Sequence, residues 1–581
     1  MRFRIAIIVG KSLLLLFIIS LQPSCKKRVD SGGTTPPPTD SSVTVVTPPD
    51  PEIAKTIGFF LNDWKAKTFT APASVDGAVP ATGAATITID ASTVVTKIPT
   101  TLFGNNANTW TGNYTDATLL NHITNQHPGF IRCPGGSISD VYFWNAPRDV
   151  KPADAPDSLL DADGVKYAES YWHGMNTDSW TCTVDNYYNM LQQTGNKGMI
   201  TVNYAYARYG TSADPVAAAA HLAADWVRYD KGRTKYWEIG NENSGSWEPG
   251  YRIDKNKNKD GQPEFMSGDL YGRHVKVFVD SMKKAAMEVG ATIYIGAQLV
   301  EHTPASWEPT TAKTWNAGVL PQVNNVADFF IVHNYYTNFN TNDPANVILA
   351  TAATVTSDMT NILSQSVTAA GVTAKPIALT EYNISAKGSM QAVSHVSGMH
   401  AVLVINELMK NKFGFASRWD LANGWDNGND MGLYNVGDEP GASKWNPRPA
   451  FYYLYFFQKM LGDRLINTSV TGGNNLSTYA YSFSSGQVGC TIVNQSTTAQ
   501  TAQLKFKNFN AGAKFYWYSL VGGTDGGEFS RKVYVNGNGP SGVSGGPADY
   551  TSLKAYAGST SGGIKLDIPA RAVIFMVVEK K

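Results

Sequence analysis

Between Leu102 and Gln458 short runs of consecutive apolar residues alternate with stretches of helical periodicity. Runs that are apolar at successive positions suit strands buried on both faces, as in a parallel sheet covered by helices. Eight such runs stand out: 102–106, 129–133, 198–203, 235–239, 292–296, 328–333, 376–381 and 414–419. Helical stretches separate several of them. The segment 213–228 is Ala-rich with Pro215 near its start, where a missing N–H costs nothing, and 271–288 is a second clear helix. Eight βα units in this order predict an α/β fold of the (β/α)₈ TIM-barrel type.

Past Leu461 the period shortens. Tyr479–Phe483, Gly489–Val493, Gln503–Phe506, Lys514–Tyr518, Ile564–Ile568 and Ala572–Val578 are strand-like and separated by Gly- and Ser-rich turns. They predict a C-terminal antiparallel β-sandwich. Thr86–Asp90 has the same texture, and a segment 56–100 is expected to join that sandwich in part. The barrel is then 101–461 and the sandwich 462–581. No Pro/Ser-rich linker lies between Leu461 and Thr468, so the sandwich is expected to pack on the barrel.

The first 55 residues have another character. Arg2 and Arg4 precede an apolar run, Ser12–Leu21, and Ser24-Cys25 follows, so 1–24 reads as a lipoprotein-type signal peptide with Cys25 as the lipidation site. Residues 25–55 are rich in Pro, Ser and Thr and are expected to form a flexible tether. The expected location is outside the cytoplasm, lipid-anchored to a bacterial membrane at the outer membrane or cell surface. Cys133, Cys182 and Cys490 have no metal-ligand spacing and are expected in the core.

Composition narrows the partners. Of 581 residues, 43% are hydrophobic and 16% charged, enough apolar content for a large core. A net charge of +1 offers no basic surface for a phosphate backbone, which argues against nucleic acid. The 14 Trp and 28 Tyr supply flat rings that stack on sugars, although buried aromatics are the commoner use.

The chemistry sits at strand ends. In a (β/α)₈ barrel the C-terminal ends of the strands face the active site. Glu242 follows the fourth run in Trp237-Glu-Ile-Gly-Asn-Glu242, and Glu381 ends the seventh. Two carboxyls about 5–5.5 Å apart perform double displacement at a glycosidic bond, one as proton donor and one as nucleophile. Asn241 is placed to bond a sugar 2-hydroxyl. Two carboxylates and water suffice, so no cofactor or metal is expected. Glu238, on the strand itself, is expected to pair with a buried cation, and Arg132 with a buried carboxylate.

Asn241-Glu242 after strand four and Glu381 on strand seven resemble the clan A retaining glycoside hydrolases. Within that clan the chain looks most similar to family 51, which holds α-L-arabinofuranosidases and some endoglucanases. The likeness rests on Ile131-Arg-Cys-Pro-Gly-Gly136 with Tyr142-Phe-Trp144, on Gly174–Asp178 with Gly195 and Val202-Asn203, and on His333-Asn-Tyr335. It implies Glu242 as acid/base, Glu381 as nucleophile, and Asn241, His333 and Tyr335 at the sugar. Where the family carries a strand-one Glu, this chain has Asn105 and Asn106, which become the candidates for that contact. Asn203, Trp144, Trp247 and Trp419 complete the expected substrate-binding set, with Trp110 and Trp425 also near strand ends.

The expected function is a retaining glycoside hydrolase acting on plant- or algal-type polysaccharide or oligosaccharides, most like an α-L-arabinofuranosidase. The alternatives are an endo-acting β-glucanase of the same clan and a non-catalytic surface glycan-binding lipoprotein; the latter has no need of both glutamates. The Asp254–Gly261 run places oxygen ligands at alternate positions, but its Gly is late for a calcium loop, and a solvated insertion is expected.

Overall fold

The structure, a computed structural model, describes residues 45–581. The signal 1–24, Cys25 and the tether as far as Thr44 lie outside the described residues.

Eight parallel strands close into a barrel: β1 (Gly104–Asn106), β2 (Phe130–Cys133), β3 (Lys197–Val202), β4 (Thr234–Ile239), β5 (Tyr294–Gln298), β6 (Phe329–Asn334), β7 (Ile377–Tyr382) and β8 (Phe415–Arg418). Each pairs with its neighbours in sequence, and β8 pairs with β1. A helix follows every strand: α1 (Ala117–Gln126), α2 (Val184–Thr194), α3 (Pro215–Asp230), α4 (Gly268–Glu288), α5 (Thr310–Val323), α6 (Ala345–Ala369), α7 (His395–Lys410) and α8 (Pro449–Met460). The apolar runs fix the strands because both faces are covered; all six residues of β7 are buried. Polar residues set the helix starts. Asp214 caps α3 by accepting from the Ala217 N–H, with Pro215 in the first turn, and Asp116, Thr183 and Ser267 cap α1, α2 and α4.

The N-terminal segment divides. Gly58–Leu61 forms a short turn whose Phe60 ring lies 5.6 Å from Phe329 and 5.2 Å from Phe415, plugging the barrel at the N-terminal ends of its strands. Residues 56–66 thus serve the barrel floor, a role the sequence pattern did not separate from the sandwich strand. Ala85–Lys97 enters the second layer, antiparallel to Arg464–Thr471 and parallel to Gln500–Lys507.

That layer is one 11-stranded, mostly antiparallel sheet that wraps around its own core, with Ile87, Ile89, Ile492, Leu566, Ile574 and Met576 inside. Its outer face continues the barrel core: Phe575 stacks on Phe457 of α8 at 5.5 Å, and the Tyr479 hydroxyl donates to Glu407 of α7 at 2.7 Å. The described end of the tether is held as well. Val46 exchanges two hydrogen bonds with Asn508, and Asp50 pairs with Lys97 and Arg464. Cys133, Cys182 and Cys490 are buried free thiols.

Candidate active site

Glu242 stands three residues beyond β4 on a turn that its neighbours enforce. Gly240 has φ +75°, and a Cβ there would fall 2.0 Å from Asn243 Oδ1. Glu242 itself has φ +42°, a left-handed conformation that costs a non-glycine residue about 1–2 kcal/mol. Two buried side chains hold it. Asp140 accepts from the Asn241 N–H at 3.3 Å and from Asn243 Nδ2 at 2.6 Å. Gln298, ending β5, accepts from the Asn243 N–H at 2.9 Å and donates to the Ile239 carbonyl at 2.9 Å. Burial raises the Asp140 carboxyl to about 7.

Glu381 is clamped by three donors. Arg132 Nη1 donates to its Oε1 at 2.8 Å, the Gly136 N–H to the same oxygen at 3.3 Å, and the Tyr335 hydroxyl to Oε2 at 2.9 Å. Arg132 is fully buried at the end of β2. Its Nε bonds Glu238, its Nη1 also reaches Asn106 Oδ1 at 2.8 Å, and its Nη2 reaches Asn241 Oδ1 at 3.0 Å. Burial opposes the guanidinium charge, but Glu238 and Glu381 outweigh it and raise its pKa. Three donors, one of them a charged guanidinium, fix the orientation of the carboxylate.

Glu242 is less enclosed, with a quarter of its side chain exposed against 4% for Glu381. His333 Nδ1 lies 2.8 Å from Glu242 Oε1, and its Nε2 lies 2.9 Å from Thr380 Oγ1. The Trp247 indole N–H donates to Glu242 Oε2 at 3.1 Å. Burial pulls the Glu242 carboxyl up, but His333 and Trp247 prevail and hold it below the ordinary value. Burial likewise opposes a charge on His333, yet Glu381 and Glu242 hold its pKa above the ordinary value. The two shifts together favour a proton on the His333 ring beside the Glu242 carboxylate.

One donor atom from each of Glu242, His333 and Glu381 falls within 4.8 Å of the others. The two carboxylates thus meet across the barrel mouth at the short separation of a double-displacement pair, well inside the roughly 6.5–9.5 Å of inverting enzymes. The same three groups have the reach to bind a cation, but the fixed charge of Arg132 on Glu381 opposes one.

The other expected residues fall into two groups. Asn241, Tyr335, Trp247 and Asn106 touch the pair or its clamp, as above. The Trp419 ring joins them, lying against Gly136, where a Cβ would meet it at 2.7 Å. Asn105 points away, with Nδ2 3.5 Å from Gln126 of α1. Trp144 is buried, donates to the Leu222 carbonyl and stacks on Trp226 of α3. Asn203 is buried and braces the turn after β3 through Tyr209 and the Tyr206 N–H. Trp425 lies 5.0 Å from Arg531 of the second layer. The period-2 geometry explains Asn105: neighbours on a strand face opposite ways, so only Asn106 points inward.

Sequence reasoning missed Glu248 and Asp140. Glu248 is buried, and its Oε1 accepts from Ser137 Oγ at 2.8 Å and Asn241 Nδ2 at 3.1 Å. Burial, then the charges of Asp140 and Glu242, raise its carboxyl well above the ordinary value. The signal for both was their closeness in sequence to Pro134-Gly-Gly136 and to Glu242.

A (β/α)₈ barrel with one carboxylate of a pair just beyond β4 and the other on β7, joined to a β-sandwich, is the class that fold and site define. No protein-family model and no curated protein matches the chain in sequence. Solved structures do match in fold. The α-L-arabinofuranosidase from Thermotoga maritima, solved with arabinose, is 16% identical with a TM-score of 0.58, covering 85% of this chain and 100% of its own. The family 51 α-L-arabinofuranosidase from Thermotoga petrophila gives 0.59 at 16% identity, with the same coverage. A family 44 xyloglucanase from Paenibacillus polymyxa gives 0.54 at 13% identity, over 85% of this chain and 99% of its own.

Proposed function

We propose that this protein is a retaining glycoside hydrolase acting on polysaccharide or oligosaccharide. The observation that carries the reading is the pair itself: Glu381 oriented by Arg132, Gly136 and Tyr335, and Glu242 within 4.8 Å of it, more open and bonded to His333. Glu381 attacks the anomeric carbon while the Glu242–His333 pair gives its proton to the leaving oxygen. Water, activated by Glu242, then cleaves the glycosyl-enzyme, and the pair regains its proton. The fold neighbours support a carbohydrate substrate, and those solved as α-L-arabinofuranosidases support an arabinofuranoside as the sugar to test first. Export on a lipid anchor at Cys25 belongs to the same reading. Its check is Cys25→Ser, which moves the protein from the membrane to the soluble fraction; unchanged membrane association refutes the anchor.

The two glutamates fail differently. Glu381→Gln abolishes turnover of every glycoside. Glu242→Ala still forms the glycosyl-enzyme from an activated aryl glycoside, which hardly needs the proton, and gives a burst followed by a slow steady rate. Azide speeds that slow step and yields an adduct with the substrate's anomeric configuration. An inverted azide product from the Glu242 variant would swap the roles. Losses below roughly tenfold in both variants would exclude the dyad.

A further inference from the structure

Four tryptophans run in contact from the nucleophile to the surface. Trp419 lies against Gly136, whose N–H bonds Glu381. Its ring centroid is 6.0 Å from Trp110, Trp110 is 6.3 Å from Trp172, and Trp172 is 5.6 Å from Trp180. Trp180 is 52% exposed, and the other three are half-buried. They come from different loops of one barrel end. Trp419 follows β8, Trp110 follows β1, and Trp172 and Trp180 lie between β2 and α2. Two of the indoles are tied by their N–H groups, Trp110 to Asn423 Oδ1 and Trp180 to Asp178 Oδ2, each at 3.1 Å. Their rings are therefore fixed rather than swinging free, which lowers the entropy cost of binding. On the other side of the mouth Trp247 is 69% exposed and bonds the acid/base Glu242. In the barrel order, β8 and β1 lie opposite β4 and β5.

We infer that the site is the centre of a cleft and that the protein cuts within a glycan chain. The Trp419–Trp110–Trp172–Trp180 file binds the sugars on the non-leaving side, and Trp247 binds the first sugar of the leaving side. A terminal single sugar would use only the space between Glu242 and Glu381 and would leave the file without a function. Three ring-to-ring steps of 6.0, 6.3 and 5.6 Å, at interplanar angles of 50°, 61° and 73°, carry apolar surface outward from the site, with successive ring faces turned along the file. Trp180 packs edge-on against Trp172 and leaves 52% of its surface to water, where a sugar ring can stack. This inference rests on the hydrolase reading and deepens it.

The test uses the full chain carrying Glu381→Gln. Binding to arabinan, xylan and xyloglucan is measured by affinity electrophoresis, and binding to oligosaccharides of increasing length from the retained polymer by calorimetry. The expected result is retention by at least one polymer and affinity that rises with length. Adding Trp180→Ala should cost roughly tenfold or more on the longest oligosaccharide and flatten the rise. Affinity that is flat beyond the disaccharide, a Trp180→Ala variant that binds as before, or no retention by any polymer overturns the inference. With the wild-type protein, viscosity of the retained polymer should fall ahead of reducing ends, whereas release of single sugars from the outset also overturns it. The two readings fail separately. Length-dependent binding with no hydrolysis refutes the hydrolase, and hydrolysis with length-independent binding refutes the cleft.

Discussion

Arg132 Nη1 reaches Glu381 Oε1 at 2.8 Å while its Nε is bonded to Glu238, so one buried guanidinium joins a structural carboxylate to the proposed nucleophile. Thr201 Oγ1 donates to the same Glu238 at 2.7 Å. The strand-four glutamate that cannot reach substrate therefore fixes the cation that orients the one that does.

Arg132→Met should separate these roles. It leaves two carboxylates unpaired in the core, and breaking a buried pair in this way costs about 3–5 kcal/mol. Adding Glu238→Gln should restore part of that stability and none of the activity, because Glu381 still lacks its main donor. Urea denaturation and kcat on an aryl glycoside measure the two. If the double variant regains activity together with stability, Arg132 acts only as a structural residue.

Glu248 should make stability fall with pH. Burial, with Asp140 and Glu242, raises its folded pKa above the ordinary 4.5. The folded state therefore keeps a proton that the unfolded chain releases, and stability is lost as pH rises through that interval. Glu248→Gln carries no such proton. Its Tm should match the wild type near about pH 4 and exceed it near about pH 8. A wild-type advantage at the higher pH would mean that Glu248 works as an ionised partner.

Barrel and sandwich should unfold together. Tyr479 and Phe575 tie the sheet to α7 and α8, and the barrel floor includes Phe60 from the N-terminal segment. Urea unfolding followed by far-ultraviolet dichroism and by tryptophan fluorescence should give one coincident transition. Tyr479→Phe, which strips a donor from buried Glu407, should lower the midpoint by the equivalent of about 1–3 kcal/mol. Two separated transitions would show that the layers are independent.

Most of the eight strands were legible because they are apolar at successive positions, while the first, Gly104–Asn106, is polar and was marked by Leu102-Phe103 before it; the expected bounds lie within two residues of those observed, as for 376–381 against Ile377–Tyr382. The glutamates followed from their place at strand ends. Side-chain direction was less legible. Asn105 and Asn106 read alike until the pleat assigns one to the helix layer and one to the mouth. Trp144 and Trp419 both follow strands, yet Trp144 stacks in the helix layer on Trp226 while Trp419 lies on Gly136. Glu248 carries no periodic signal, since its environment comes from two loops, with Ser137 and Asp140 after β2 and Asn241 and Glu242 after β4.

His333 decides where the acid's proton resides, and replacing it should move the pH profile. In the intact pair the proton is held on the ring at 2.8 Å from Glu242, because the two carboxylates keep the His333 pKa above 6.5 despite burial. The active form persists until that proton leaves, so the alkaline limb of kcat/KM belongs to His333. In His333→Asn the proton must sit on Glu242 itself. Glu242 then loses the bond and charge that depressed it, and burial raises its pKa, but it remains a carboxyl rather than a carboxylate-flanked imidazole. The alkaline limb should therefore move to lower pH while the maximal rate on an activated aryl glycoside, which hardly needs the proton, falls less than that on an unactivated one. Thr380, bonded to the far ring nitrogen at 2.9 Å, should give the same direction more weakly when changed to Val. An alkaline limb that stays in place in His333→Asn would show that the proton belongs to Glu242 alone, and that His333 only orients it.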